Sequence, residues 1–226
     1  VTLMEPGEQG REALPLHRHR KRLWIVFVTV VALTALGFFA LGRLSAAPAL
    51  VPDTGADAGF ARDMQTHHTQ AVEMALLIRD KSDNPELMAV AYDIATAQQH
   101  QNGQMFAWLQ DWGLTQAGSA PPMSWMTAGG AHPGTGAPHG SQGPVTEGDM
   151  EGMATPEQMQ ALRESSGVDA DRLFTDLMIR HHQGGVAMAS AAARLAETPK
   201  VRDFAARIVE AQTAEITALE ELRSRL

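Results

Sequence analysis

The chain changes its hydrophobic rhythm twice. From Leu23 to Leu41 there are nineteen residues without a charge and without a polar stripe. At about 1.5 Å per residue such a helix is roughly 28 Å long, close to the hydrocarbon thickness of a bilayer. Further on, over 57–112 and 155–226, apolar residues recur every three to four positions, the spacing of amphipathic helices. Between these regions the periodicity lapses: residues 113–152 hold ten of the 20 glycines and five of the 12 prolines. Such a stretch carries too little apolar surface to offset the entropy of ordering it. The pattern predicts an all-α protein. Residues 23–44 are a transmembrane signal-anchor helix, 45–56 a tether, 57–112 a first helical hairpin, and 113–154 a flexible loop rich in Gly, Pro, Met and His. Residues 155–226 are a short helix and a second hairpin, opened by Thr155 as cap, Pro156 at the first helical position and Gln158 at the third.

The two hairpins are copies of one unit. Shifted by 114 residues, the chain matches itself without a gap at 13 of the 42 positions from 57 to 98. Asp57, Phe60, Met64, His67, His68, Val72, Met74 and Ala75 fall on Asp171, Phe174, Met178, His181, His182, Val186, Met188 and Ala189. The match resumes at Pro85 on Pro199 and continues with Ala91, Ile94, Ala97 and Gln98 on Ala205, Ile208, Ala211 and Gln212. Each copy reads helix, Pro-containing turn, helix, with Asn84 and Thr198 as candidate caps. Two such hairpins make a four-helix bundle.

Charge places the bundle. Arg18, Arg20, Lys21 and Arg22 precede the apolar run, so the positive-inside rule leaves residues 1–22 in the cytoplasm as a basic tail and puts the rest outside. The protein is then a single-pass membrane protein with an extracytoplasmic C-terminal domain, or a secreted one if cleaved near Ala47 or Ala49, where the residues are small. From Ser45 onward 12 basic residues face 23 acidic ones, an excess of 11 negative charges over a chain whose total is −8. That is the wrong sign for a nucleic-acid partner.

The candidate chemistry lies on the apolar stripes. With about 100° per residue, Phe60, Met64, His67, His68, Ala71, Met74, Ala75 and Ile78 share one face, and Arg62, Gln65, Thr66, Thr69, Gln70 and Glu73 the other. In the second copy Phe174, Met178, His181, His182, Gly185, Met188 and Ala189 turn inward, and Gly184 with Gly185 lets a neighbour come close. A buried histidine has to be hydrogen-bonded, paired or metal-bound. Two readings follow. In the first, His67, His68, His181 and His182 are metal ligands, joined by Met64, Met178, Met74 and Met188. In the second they are core histidines bonded to Gln98 and Gln212, and the domain is structural or an interaction module.

Imidazole with thioether is a soft donor set that suits Cu(I) or Ag(I). Glu-x-x-His and His-Glu-x-x-His are both missing, so neither a carboxylate di-iron centre nor a zincin site is expected. Glu215 stands near an inward stripe, while its repeat partner is Gln101; Gln98, Gln212 and Glu215 are candidate supports behind the ligands. Met123, Met126, His132, His139, Met150 and Met153 are candidate loop ligands. If the first and third main helices run parallel and diagonal, the His pairs meet near the bundle axis, with Met64 and Met178 one turn away. There is no Gly-x-Ser-x-Gly elbow, P-loop or dinucleotide fingerprint, so a binding role ranks above a redox enzyme and no catalytic residue is assigned.

The doubled pattern Asp-x-x-Phe-x-x-x-Met-x-x-His-His-x-x-x-Val-x-Met-Ala, over 57–75 and 171–189, resembles the signature of the domain-of-unknown-function 305 family. The resemblance covers about 57–226. It implies a ferritin-like four-helix fold, often exported or anchored, and an association with copper handling, with the His-His pairs and the flanking methionines as the motif positions. The family's Gln-x-x-Glu-Ile is matched by Gln212 to Ile216, whereas Gln98 to Asn102 departs from it at Gln101.

Overall fold

The structure, a computed structural model, describes residues 16–45, 50–127 and 150–226. Among these, all regular structure is helical: α1 (Leu16–Ser45), α2 (Ala56–Arg79), α3 (Pro85–Asp111), α4 (Ser124–Thr127), α5 (Pro156–Glu164), α6 (Gly167–Leu195) and α7 (Pro199–Arg223). The chain divides into two compact units, 1–48 and 49–226.

In the first unit, α1 is long and apolar enough to cross a membrane from Arg20 to Gly42. Its Leu, Val and Phe side chains are exposed, and its two threonines are satisfied within the helix. Thr29 and Thr34 each donate from Oγ1 to a carbonyl one turn back, on Ile25 and Val30, both at 2.8 Å. Hydroxyls bonded in this way would need no partner in a hydrocarbon environment. Most of the expected basic tail, and Ala47 and Ala49, lie outside the described residues.

The second unit is the four-helix bundle, α2/α3 joined to α6/α7. Asn84 caps α3 by accepting from the backbone N–H of Glu86 and Leu87, ahead of Pro85. Thr155 and Gln158 form a full capping box on α5. Thr198, expected to cap α7 in the same way as Asn84, does not. Its hydroxyl donates instead to Asp57 Oδ1, and the N–H groups of Glu197 and Thr198 donate to Asp57 at 2.7 and 3.0 Å. The start of α2 is therefore pinned to the end of α6. At the opposite end, Gly167 N–H donates to Lys81 O at 3.2 Å. Thus α2 and α6 pack directly against each other and run antiparallel, not parallel and diagonal as the repeat alone suggests.

This direction sorts the core into two apolar clusters. One gathers Phe60, Met64, Met105, Leu109, Met188 and Phe204; the other gathers Met74, Ile78, Leu87, Phe174, Met178 and Leu222. Between them in all four helices lie the buried polar residues His67, His68, Gln98, Asn102, His181, His182 and Gln212. The histidines sit at the middle of α2 and α6, so an antiparallel pair brings the two copies of the motif to one level.

The ends of the stretch expected to be flexible are packed on the bundle. Trp125 in α4 is 4% exposed, and its Nε1 donates to Asp63 Oδ2 at 2.8 Å, which also accepts from Met123 N–H at 2.8 Å. Residues 150–154 return as a strap between α2 and α6. Gln70 clamps Ala154, donating to its carbonyl at 2.9 Å and accepting from its N–H at 2.7 Å.

The cross-hairpin pin gives a direct test. Asp57→Ala removes the carboxylate that satisfies two backbone donors and a hydroxyl, and should cost about 2–3 kcal/mol in urea unfolding. Asp171→Ala, at the equivalent place where one buried oxygen has no partner, should cost less. Equal losses would refute the pin.

Candidate metal centre

His67, His68, His181 and His182 have no exposed surface. Three of the eight ring nitrogens have a hydrogen-bond partner. His68 Nε2 lies 2.6 Å from Gln101 Oε1, His182 Nε2 2.7 Å from Glu215 Oε2, and His67 Nε2 3.3 Å from the carbonyl oxygen of Glu151. A backbone carbonyl or a carboxylate oxygen only accepts, so His67 and His182 present an N–H at Nε2, whereas the Gln101 amide can face His68 with its oxygen or its nitrogen. Nδ1 is buried without a hydrogen-bond partner in all four histidines, and in His181 so is Nε2. The rings of His67 and His181 stack with centroids 3.7 Å apart and planes tilted by 35°.

Burial keeps three of the imidazoles neutral. Loss of hydration on burial pushes His67 down to about 4 and His68 down to about 3. The same desolvation drives His181 well below its ordinary value, with the neighbouring His67, His182 and His68 adding to it. A neutral imidazole with its other nitrogen donating to an oxygen is the form in which histidine binds metals.

The glutamines behave differently from expectation. Gln98 and Gln212 do point into the layer, but neither amide atom of either residue has a hydrogen-bond partner, so they are not what satisfies the histidines. That role falls to Gln101 and Glu215, each 33 residues beyond its histidine. In the sequence Gln101 stands out only as the repeat counterpart of Glu215. Glu151 could not be found that way, because it contributes a backbone oxygen.

The methionines are divided by the antiparallel packing. Met64 and Met188 lie in one apolar cluster and Met74 and Met178 in the other, so Met64 and Met178 flank the histidines from opposite sides. Met150 is buried in the first cluster, with Met123, Met126 and Met153 half-buried against it. His132 and His139 lie outside the described residues. Among the described residues no group of three or more His, Asp or Glu side chains is arranged to hold a metal ion.

The glycines beside the second motif explain two close approaches. A Cβ on Gly184 would collide with the Glu151 carbonyl, and one on Gly185 with the Gln212 amide. Gly184 thus admits the strap that supplies the partner of His67.

A family model described as a domain of unknown function (DUF305) matches residues 57–223. A putative secreted DUF305 protein from Streptomyces coelicolor has a similar structure, with a TM-score of 0.67 and 37% identity, over 77% of this chain and 95% of its own. A DUF305 fragment from Deinococcus radiodurans matches with a TM-score of 0.61 and 29% identity, over 79% and 100%. CopM in its Cu(II)-bound form matches with a TM-score of 0.54 and 28% identity, over 76% and 97%. CopM is also known in Cu(I)-bound and Ag-bound forms. No curated protein matches the chain.

Proposed function

We propose that this chain, which belongs to the DUF305 family, is a membrane-anchored extracytoplasmic protein that binds Cu(I) or Ag(I) in the histidine layer of its bundle, for copper storage, buffering or resistance. The observation that carries this reading is the set of four buried, unpartnered Nδ1 atoms, three of them on rings whose Nε2 faces an oxygen acceptor. Buried polar atoms left unpaired cost about 1–3 kcal/mol each. A ligand that uses their lone pairs offsets this cost.

The residues present fit a soft cation. His67, His68, His181 and His182 would hold it through Nδ1, with thioether from Met64, Met188, Met74 or Met178 as the complementary donor. Among the described residues no three His or acidic side chains converge on one point, so the reading needs a thioether beside the imidazoles, a soft donor set. The similarity to CopM, known in copper- and silver-bound forms, supports the same choice of metal. The alternative, a structural domain with hydrogen-bonded core histidines, is weakened by the unpaired amides of Gln98 and Gln212. A redox enzyme finds no catalytic constellation to support it. The apolar helix α1 with its basic flank supports the single-pass topology.

The test is an anaerobic titration of the bundle, residues 50–226, with Cu(I) against a competing chelator. Tight binding is expected, with preference over Fe(II) and Mn(II). Replacing His67 and His68 with Ala should abolish it in a variant that circular dichroism shows to be folded. Equal Fe(II) affinity, or Cu(I) binding indifferent to the four histidines, would defeat the proposal.

A further inference from the structure

The two copies of the histidine motif are supported by chemically different residues. His182 Nε2 meets the carboxylate of Glu215, which is 27% exposed, and His68 Nε2 meets the amide of Gln101. The two contacts differ in length by only 0.1 Å (2.7 and 2.6 Å), and each spans 33 residues. The local frame is shared, and the chemistry is not.

A carboxylate has no donor to offer, so Glu215 permits one tautomer of His182, the one with Nδ1 bare. It also feeds negative charge through the ring and strengthens Nδ1 as a donor to a metal. A glutamine amide carries both an acceptor and a donor on one pivot. Gln101 can turn its NH2 toward His68 and so release the ring to the other tautomer. The surroundings reinforce the contrast. Gln101 lines a surface groove of about 270 Å³ together with His100, Gln104, Phe204, Arg207 and Ala211, so a guanidinium stands at that side. At the other side the carboxylate of Glu215 itself reaches solvent.

We infer that Glu215 and Gln101 are the positioning residues of the histidine layer, and that their difference makes the layer unequal: a soft cation engages His182 first and more tightly than His68. The inference rests on the soft-metal reading above. It adds an order of filling that the sequence repeat by itself does not contain.

The test uses the full chain in detergent micelles with ¹⁵N-labelled histidine and Ag(I) as the probe. In the metal-free protein His182 should show a protonated Nε2 and a bare Nδ1, whereas His68 should show exchange between tautomers. On titration the His182 resonances should move at substoichiometric Ag(I), ahead of those of His68. Glu215→Gln should lower Ag(I) affinity about tenfold, the low end of the loss seen when an outer-shell partner of a ligating histidine is changed. The double exchange Glu215→Gln with Gln101→Glu, checked for fold by circular dichroism, should reverse the order. Simultaneous movement of the two histidines, or an order untouched by the exchange, overturns the inference while leaving metal binding intact. Failure of Ag(I) to move any histidine resonance sinks the metal reading and the filling order together. The metal-free tautomers then still decide whether Glu215 positions His182.

Discussion

Lowering the pH from 7 to 4 should unfold much of the metal-free bundle, with the loss concentrated between about pH 6.5 and pH 4. His67 and His68 are held near 4 and 3 in the folded chain against 6.5 when exposed. Across that interval the unfolded chain therefore binds more protons than the folded one, and stability falls as pH falls. The contribution is complete above about 6.5 and is exhausted only below the folded-state values. His181 acts in the same direction. The groups facing these rings do little to oppose it: His67 meets the Glu151 carbonyl and the His181 ring, and His68 meets a neutral amide, while the nearby carboxylate of Glu215 faces His182. At about 1.4 kcal/mol per unit of displacement, the combined effect is on the order of several kcal/mol, a large part of the stability of an ordinary domain. Urea midpoints measured at pH 7, 6, 5 and 4.5 should decline steadily. A flat profile would show that His67, His68 and His181 are not buried as neutral imidazoles. Saturating Cu(I) should steepen the decline, since protons and metal compete for the same lone pairs.

Gly184→Ala should destabilise the bundle although it adds only one methyl group. Position 184 is mid-helix, where alanine is ordinarily favoured by about 1 kcal/mol. Here the added Cβ would occupy the place of the Glu151 carbonyl, a backbone group that cannot rotate aside. The strap must lift, and with it go the oxygen facing His67 and the pair of hydrogen bonds between Gln70 and Ala154. A net loss of about 1–3 kcal/mol is expected, with proteolytic cleavage appearing near residues 150–154. Gly185→Ala serves as the comparison. Its Cβ would meet only the Gln212 amide, the far end of a flexible side chain rather than backbone, so the loss should be smaller. If Gly184→Ala is as stable as the parent and the strap stays protected, the close approach is not structural.

These two results depend on different degrees of legibility in the sequence. The inward stripes were plain, because a period of 3.6 residues carries His67, His68, His181 and His182 onto the faces that also carry phenylalanine and methionine. The direction of α6 was not. Parallel and antiparallel packing bury the same stripes, and what decides between them is where the 40-odd residues after Asp111 deliver the chain, which composition does not state. Misjudging it placed Met64 beside Met178, whereas the two lie in opposite clusters. The strap was also hidden, since a segment rich in glycine and proline looks unstructured whether or not it docks. Its one trace was the Gly184-Gly185 pair, which signalled a close neighbour without saying which. The reading that pairs the histidines with Gln98 and Gln212 differs from the structure, where Gln101 and Glu215 face the rings, because a helical wheel gives direction around an axis and not reach along it.

The antiparallel crossing at the midpoint of α2 and α6 has a consequence for ancestry and design. Two similar surfaces that meet antiparallel at their midpoints have the geometry of a homodimer, so each hairpin presents to the other a face much like its own. The chain is in effect such a dimer written as one polypeptide. Symmetry obliges a true dimer to change both halves at once, and a fused one is free of that obligation. The freedom has been used at the repeat-equivalent positions 70 and 184, where a glutamine grips the strap from α2 and a glycine yields to it on α6.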